Sequence, residues 1–134
     1  MFDTFDTSVS GLVAHRIWSD TIAANVANIN TTRDELGRPS PYQRRFPVFA
    51  PARGGLAGVQ VVEVGSDDEF RWVRQPGHPD SEKSGPMQGF VRMPAVDLHV
   101  EMANAMIALR AYEANVTALQ VTKQMIASDL RILA

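Results

Sequence analysis

The sequence predicts an α+β fold in which N- and C-terminal helices pair as an antiparallel coiled coil, with a small β-rich insertion between them. The last third of the chain lacks Pro and Gly and repeats apolar residues at steps of three and four, and the first thirty residues carry a second apolar repeat. All eight Pro residues and eight of the nine Gly residues lie between positions 37 and 94. The predicted divisions are therefore an N-terminal helix in residues 1–32, a middle region in 33–98 and a C-terminal helix in 99–134.

The N-terminal helix is predicted over residues 5–29, because its apolar residues recur mostly four positions apart. Thr7 or Ser8 is the expected N-cap, since a Ser or Thr hydroxyl accepts hydrogen bonds from the free amides of a first turn. Asn28 and the residues that follow it, up to Thr32, favour leaving the helix.

Three segments of the middle region are predicted to be strands. Residues 42–49 alternate loosely and contain Pro47, which places them at a sheet edge. Residues 59–64 lie between two glycines and form the clearest strand, which we expect to pair with residues 70–74 across an acidic turn. Residues 90–93 form a last extended segment before Pro94, and residues 75–89 form a loop.

The C-terminal helix carries a predicted heptad seam and would be roughly 50 Å long, at 1.5 Å per residue. This exceeds what a small domain covers with its own core, so the helix is expected to need partners. The seam breaks at Lys123, which is expected either to face an acidic residue such as Asp20 or Asp129, or to extend along the seam to solvent. Its positions are Met102, Met106, Leu109, Tyr112, Val116, Leu119, Lys123, Ile126, Leu130 and Leu133.

Composition excludes several classes of chemistry. The chain has 134 residues, 45% of them hydrophobic, and no cysteine, so it has no disulfide, thiol nucleophile or thiolate metal site. Its net charge of -2 gives no general attraction to nucleic acid or anionic membranes. No apolar run is long enough to span a membrane, and the first ten residues are acidic and polar, so we expect neither a transmembrane segment nor a cleavable signal.

No catalytic, cofactor or metal site is predicted. His15, His78 and His99 lie far apart without metal-ligand spacing, and His78 is expected to hydrogen-bond within its own loop. Arg44 and Arg45 are too few for nucleic-acid binding and are expected to contact an acidic neighbour. A hydrolase acting on peptidoglycan would need paired carboxylates in a cleft, and the sequence offers no such pair.

The terminal helices are the remaining functional feature, and two interpretations stay open. They form either a helix hairpin that buries its own seam, or a hairpin whose longer helix leaves an apolar stripe for other proteins. The unequal predicted lengths favour the second interpretation.

Several motifs resemble those of bacterial flagellar rod and hook proteins. The N-terminal motif is Ser10-Gly11-Leu12, followed by Ala23-Ala24-Asn25-Val26-Ala27-Asn28. The loop Pro76-Gly77-His78-Pro79-Asp80, the segment Val91-Arg92-Met93-Pro94 and the run from Ala111 to Ala118 are similar to a proximal-rod member of that family. The sequence Ala95-Val96-Asp97 departs from the family pattern, where the long helix is capped, and the turn of residues 84–89 looks longer than usual.

The resemblance implies a non-enzymatic structural subunit of the proximal rod of the flagellar basal body. Such a subunit assembles helically through its terminal helices, transmits torque and houses the export channel. The resemblance also implies export through the flagellar type III apparatus to the periplasmic space, without a cleaved signal. Its implied partners are other proximal-rod subunits, export-gate or adaptor proteins at the base, and distal-rod proteins. The alternative is a soluble coiled-coil adaptor or export chaperone that does not polymerise.

We predict two groups of residues at the assembly interface. Apolar side chains make the helix contacts, and polar side chains fix their register through hydrogen bonds. Within this scheme Leu119→Asp is expected to block incorporation. The apolar group is Leu12, Ile22, Val26, Leu109, Val116, Leu119, Ile126 and Leu130, and the polar group is Asn25, Asn28, Tyr112, Glu113 and Asn115.

Overall fold

A computed structural model describes residues 2–54 and 57–133 of the chain and confirms the α+β fold with paired terminal helices. Along the chain, four short strands lie between two long helices. The elements are α1 (Phe2–Ala27), β1 (Arg45–Pro51), β2 (Val59–Ser66), β3 (Phe70–Arg74), β4 (Phe90–Pro94) and α2 (Leu98–Leu133).

Helix α1 begins at Phe2, so the predicted N-cap at Thr7 or Ser8 is wrong. Both hydroxyls lie inside the helix and bond to the preceding turn. Thr7 Oγ1 donates to the Asp3 carbonyl at 2.7 Å, and Ser8 Oγ donates to the Thr4 carbonyl at 3.0 Å. This is the alternative that Ser and Thr adopt in a helix interior.

The C-terminal end of α1 and the N-terminal end of α2 are both closed by polar side chains. Asn28 Nδ2 donates to the Ala24 carbonyl at 2.9 Å, just after α1 ends at Ala27. Asp97 Oδ1 accepts from the His99 amide at 2.8 Å and the Val100 amide at 3.4 Å. Asp97 is therefore the N-cap of α2, and the Ala95-Val96-Asp97 sequence retains a capping side chain.

The two helices run antiparallel in a register fixed at two points. Near the middle of α1, a Cβ on Gly11 would lie 2.9 Å from Asn115 Nδ2, so the helices approach closely there. Fourteen residues further along α1, Asn25 lies against Glu101, fourteen residues back along α2. The same register places Phe2 level with position 124, so residues 125–133 of α2 extend about 13 Å beyond the start of α1.

Small and polar side chains line the packed faces of the helices. The buried positions of α2 recur every seven residues, at Glu101, Ala108, Asn115 (half-buried) and Thr122. These residues form the packed seam of α2, which is rotated around the helix axis relative to the seam predicted from the sequence. The buried positions of α1 are Ser8, Gly11, Ala14, Thr21, Ile22 and Asn25.

The strands form two separate antiparallel hairpins, β1–β2 and β3–β4. The expected pairing of residues 59–64 with Phe70–Arg74 is therefore wrong. The chain does not turn back after β2, because the Asp67 amide continues the ladder by donating to the Arg44 carbonyl at 2.8 Å. Residues 67–69 then carry the chain to β3, which pairs with the later segment Phe90–Pro94.

The β1–β2 hairpin packs on α1 at several places. Ser10 Oγ accepts from the Val59 amide at 3.1 Å, and Gly58, with a positive φ of 122°, lies so close that a Cβ would collide with that hydroxyl. Further along α1, the Phe49 ring meets the Trp18 ring edge-on at 5.9 Å between centroids. Ser10 and Gly11 are adjacent, so one dipeptide contacts the hairpin with its first residue and α2 with its second.

The β3–β4 hairpin has one buried and one exposed face. Val91 and Met93 of β4 are buried, as is Val96 in the segment that leads into α2. On the other face the Arg92 guanidinium lies 4.1 Å from the centre of the Phe70 ring, and Trp72 is exposed. The two hairpins thus form separate sheets, of which the first packs on α1.

Gly11→Val is expected to destabilise the helix pair, because the added side chain meets Asn115 and overpacking a contact of this kind costs about 1–3 kcal/mol. Chemical denaturation followed by circular dichroism measures the change. Gly77→Val is the matched control, since nothing lies within 4 Å of a Cβ there. Asn115→Ala in the Gly11→Val background should recover part of the loss, and no recovery would contradict the close approach.

Candidate functional site

A buried polar cluster joins the two helices to the middle region, with Asn25 at its centre. Asn25 is 1% exposed, and its amide has partners on both sides. Nδ2 donates to the Arg45 carbonyl at 2.8 Å and to Glu101 Oε2 at 3.3 Å. Oδ1 accepts from the Arg45 amide at 2.8 Å and the Tyr42 hydroxyl at 3.0 Å. Every hydrogen-bonding position of this amide is therefore filled.

Glu101 is the charged member of the cluster and is fully buried. Its Oε1 accepts from Arg44 Nε at 2.7 Å, and Arg44 is itself three-quarters buried. The expected contact of the Arg44-Arg45 pair with an acidic neighbour is thus confirmed for Arg44. A carboxylate buried this deeply is stable only when paired and hydrogen-bonded, so the ion pair ties α2 to the start of β1.

Tyr42 completes the cluster as a hydrogen-bond donor. Burial raises the pKa of its hydroxyl above the ordinary value, the Arg45 cation lowers it, and the Glu101 anion raises it by a smaller amount. The hydroxyl therefore stays protonated at neutral pH and keeps its bond to Asn25.

A second polar cluster joins the loop of residues 75–89 to the segment that follows α1. Arg33 Nη2 contacts Asp80 Oδ1 at 2.6 Å, and Thr32 Oγ1 donates to Asp80 Oδ2 at 2.8 Å. Hydrogen bonds from Arg33 hold the pKa of Asp80 below its usual range, against the opposing effect of burial. His78 Nδ1 accepts from the Asp80 amide at 3.1 Å, as expected for a histidine that bonds within its own loop.

The residues predicted at the assembly interface divide into two groups. Nine of them are buried or half-buried: Leu12, Ile22, Asn25, Val26, Asn28, Asn115, Val116, Leu119 and Ile126. Four are exposed: Leu109, Tyr112, Glu113 and Leu130. Most of the first group lies on or beside the packed faces of the helix pair, although Asn28 follows the end of α1 and Ile126 lies in the extension of α2. The second group faces outward.

The first half of the sequence-based seam points away from α1. Met102, Met106 and Leu109 are each more than half exposed, as is Leu130 near the end of α2. Large side chains at these positions do not fit between helices that approach as closely as Gly11 and Asn115 allow. We call the outward stripe formed by Leu98, Met102, Met106 and Leu109 the methionine face.

Lys123, where the seam breaks, is exposed and has no carboxylate within 4 Å in the described part of the chain. The expected ion pair with Asp20 or Asp129 is therefore absent there. Thr122 next to it occupies the buried position, where its hydroxyl donates to the Ala118 carbonyl at 2.9 Å. The break in the seam reflects the shift of the packed face.

Glu101, Ser10 and Asp80 hold the structure together, and sequence reasoning did not single them out as contact residues. A heptad of small and polar residues gives no hydrophobic signal, so Glu101 resembles an ordinary acidic residue of a first turn. One signal was available, since Glu101, Ala108, Asn115 and Thr122 are seven residues apart. Across residues 2–54 and 57–133, no cluster of three or more His, Asp or Glu side chains is arranged to hold a metal ion.

Two family models match segments near the two ends of the chain. A family model described as "Flagella basal body rod protein" matches residues 5–33, and one described as "Flagellar basal body rod FlgEFG protein C-terminal" matches residues 87–132. These segments contain most of α1 and α2. They leave the β1–β2 and β3 strands outside both models.

Curated relatives match over almost the whole chain. Flagellar basal-body rod protein FlgC of Borreliella burgdorferi is 35% identical, and the alignment covers 99% of this chain and 97% of the relative. The proteins of the same name from Bacillus subtilis and Escherichia coli are 34% and 33% identical, each with 98% of this chain and 97% of the relative covered. The chain belongs to the FlgC family of flagellar basal-body rod proteins.

Membership of the FlgC family makes the chain a structural subunit of the flagellar basal-body rod. The alternative of a soluble adaptor or export chaperone has no support among these relatives. Within the described residues, neither helix is long and apolar enough to cross a membrane.

Arg44→Met is expected to lower the free energy of unfolding by about 3 kcal/mol, because it leaves the buried Glu101 carboxylate without its cation. The double variant Arg44→Met/Glu101→Leu should recover most of that loss, since an apolar pair replaces an ion pair of similar volume. Urea denaturation of both single variants and the double variant completes the cycle. A double variant as unstable as Arg44→Met would contradict the pairing.

The contact of Asp80 with Arg33 and Thr32 is expected to weaken in acid. Its folded-state pKa lies below the ordinary value near 4, so the stabilisation is present above that value and is lost as the pH falls through the folded pKa. Asp80→Asn should therefore be less stable than the wild type at pH 7, and the difference should shrink as the pH falls below the ordinary pKa of an aspartate. Denaturation across a pH series tests this, and a difference that does not change with pH would contradict it.

Proposed function

We propose that this chain is a subunit of the proximal segment of the rod and polymerises helically through the outward surface of α2. The observation that supports this is the methionine face, whose four side chains are 41–61% exposed although they are large and apolar. Burying a fully exposed side chain of this size contributes about 1.5–3 kcal/mol, so burying the exposed half of each of these would contribute about half of that. In the single chain this apolar surface stays exposed to water, and packing a neighbouring subunit against it would stabilise the assembly by that amount.

The geometry of α2 supports contacts with more than one neighbour. Residues 125–133 extend beyond α1, and Met125, Leu130 and Ile132 in this extension are 57–82% exposed. When two different surfaces meet between copies, the contact is head-to-tail, and such contacts generate helical assemblies when the rotation does not close. This matches the architecture of a rod.

The residues predicted at the assembly interface then have two roles. The buried and half-buried members, such as Ile22, Asn25 and Asn115, hold the helix pair and set its register. The exposed members, Leu109, Tyr112, Glu113 and Leu130, meet neighbouring subunits. Only the exposed members can contact another chain without separating the two helices of the pair.

We propose as partners the other proximal-rod subunits, the export-gate or adaptor proteins at the base of the rod, and distal-rod proteins. The proposed path is export by the flagellar type III apparatus, without a cleaved signal, to the periplasmic space. Packed side by side, the long helices would enclose the export channel, and their axial stiffness would transmit torque. These proposals rest on the likeness to flagellar rod proteins together with the unpartnered surface of α2.

Leu109→Asp is expected to abolish incorporation into the rod and swimming, while the monomer keeps its fold. Leu109 is 56% exposed, so the carboxylate is solvated in the free subunit but buried without a partner at an interface. Immunoblotting of purified basal bodies measures incorporation, and circular dichroism measures the fold. Leu119 is half-buried in the helix pair, so Leu119→Asp is a poorer test of assembly because it also disturbs that pair.

Leu36→Asp is the matched control, since Leu36 is 76% exposed and lies in the turn after α1. This variant should swim normally. Basal bodies that contain the Leu109→Asp subunit at the wild-type level would overturn the proposal that this surface drives assembly.

A further inference from the structure

Helix α2 has a second exposed stripe, which sequence reasoning did not identify. Its members recur at steps of three, four or seven, as on one side of a helix. None is charged, and all are exposed. They are Val100, Ala103, Ile107, Ala114, Ala118, Val121, Met125 and Ile132, and we call this stripe the alanine face.

The alanine face has small side chains at its centre and larger ones on either side along the helix, and we call the low central part its groove. Ala114 and Ala118 are one turn apart, and larger side chains lie before and after them, at Ile107 and Val121. Small residues at a helix surface let the ridge of a second helix approach closely. A partner with charged side chains would bury them there without counter-charges, which costs several kcal/mol per ion. The surface therefore fits an uncharged apolar ridge.

Helix α1 carries such a ridge. Phe5, Val9 and Val13 are spaced four residues apart and are 36%, 36% and 55% exposed. Val9 and Val13 lie two residues on either side of Gly11, which faces Asn115 of the same chain's α2. Two residues turn a helix by about 200°, so this ridge points away from its own α2. In the described part of the chain, these three side chains stay partly exposed.

We propose that the ridge of Phe5, Val9 and Val13 in one copy packs into the alanine face of a second copy. The inference rests on the proposed assembly through α2 and assigns the two surfaces that meet. Large side chains on α1 face small ones on α2, and the members of both surfaces are uncharged, with Asp6 and Arg16 beside the ridge and Arg110 beside the alanine face. The two surfaces differ, so the contact is head-to-tail and repeats from copy to copy.

Disulfide cross-linking in assembled basal bodies tests the contact directly, because the chain has no cysteine of its own. Cells co-express a Val9→Cys subunit with an Ala118→Cys subunit, and oxidation should give a cross-linked dimer. Gln124→Cys replaces Ala118→Cys in the control, because Gln124 is also exposed but lies about a third of a turn away around α2. The dimer yield is expected to be about tenfold higher for the Ala118 pair than for the Gln124 pair.

A size exchange gives an independent measurement. Ala118→Leu fills the groove and is expected to reduce incorporation about tenfold or more, because overpacked contacts are unfavourable. Val9→Ala in the same chain makes room in every copy and should restore incorporation to near the wild-type level. Both variants are exposed in the monomer, so circular dichroism should show an unchanged fold.

The outcomes separate this inference from the proposed function. Equal dimer yields for the Ala118 and Gln124 pairs, or no restoration by Val9→Ala, overturn the contact between copies. Either result, with Leu109→Asp still excluded from the rod, would leave assembly through α2 intact and assign the alanine face to a different rod protein. Normal incorporation of Leu109→Asp would overturn the proposed function, whatever the cross-linking shows.

Discussion

The contact between Asn25, Glu101 and Arg44 is the constraint on which the rest of the structure depends. It brings a residue of α1, a residue of α2 and the start of β1 to one buried point. A charged group at that depth tolerates no shift in register, because a slip by one turn would leave the carboxylate without its partners. The helix pair and the first hairpin are thereby fixed relative to each other, although the helices share few large apolar contacts.

This constraint explains why the helices pack through small residues. Gly11 brings the helices together near the middle of α1, and the polar cluster holds them together near the end of α1. Ala108 and Thr122 are the small residues of α2 that are buried, Val116 and Leu119 are half-buried, and Met102, Met106 and Leu109 face outward. The usual pattern of a coiled coil, with bulky residues inside, is shifted around the helix.

The sequence predicts the secondary-structure elements well, but it predicts neither which strands pair nor which side of α2 is buried. Apolar periodicity predicted both helices, and for α2 the absence of Pro and Gly supported it, because helix formation depends on local residues. Strand partners depend on residues far apart in the chain, so residues 59–64 were assigned the wrong neighbour although their own strand was correct. The seam was misplaced for a related reason. Met102, Met106 and Leu109 give the stronger hydrophobic signal, yet Glu101 and Ala108 are the residues that are buried.

The extension of α2 beyond α1 has a thermodynamic consequence. In the described part of the chain, no second helix packs against residues 125–133 of α2. In the single subunit, this segment is therefore stabilised by helix propensity and not by packing against another helix. A neighbouring subunit that covers this segment adds binding free energy directly to its stability. Under the proposed assembly, the stability of the last turns of α2 would therefore rise with subunit concentration.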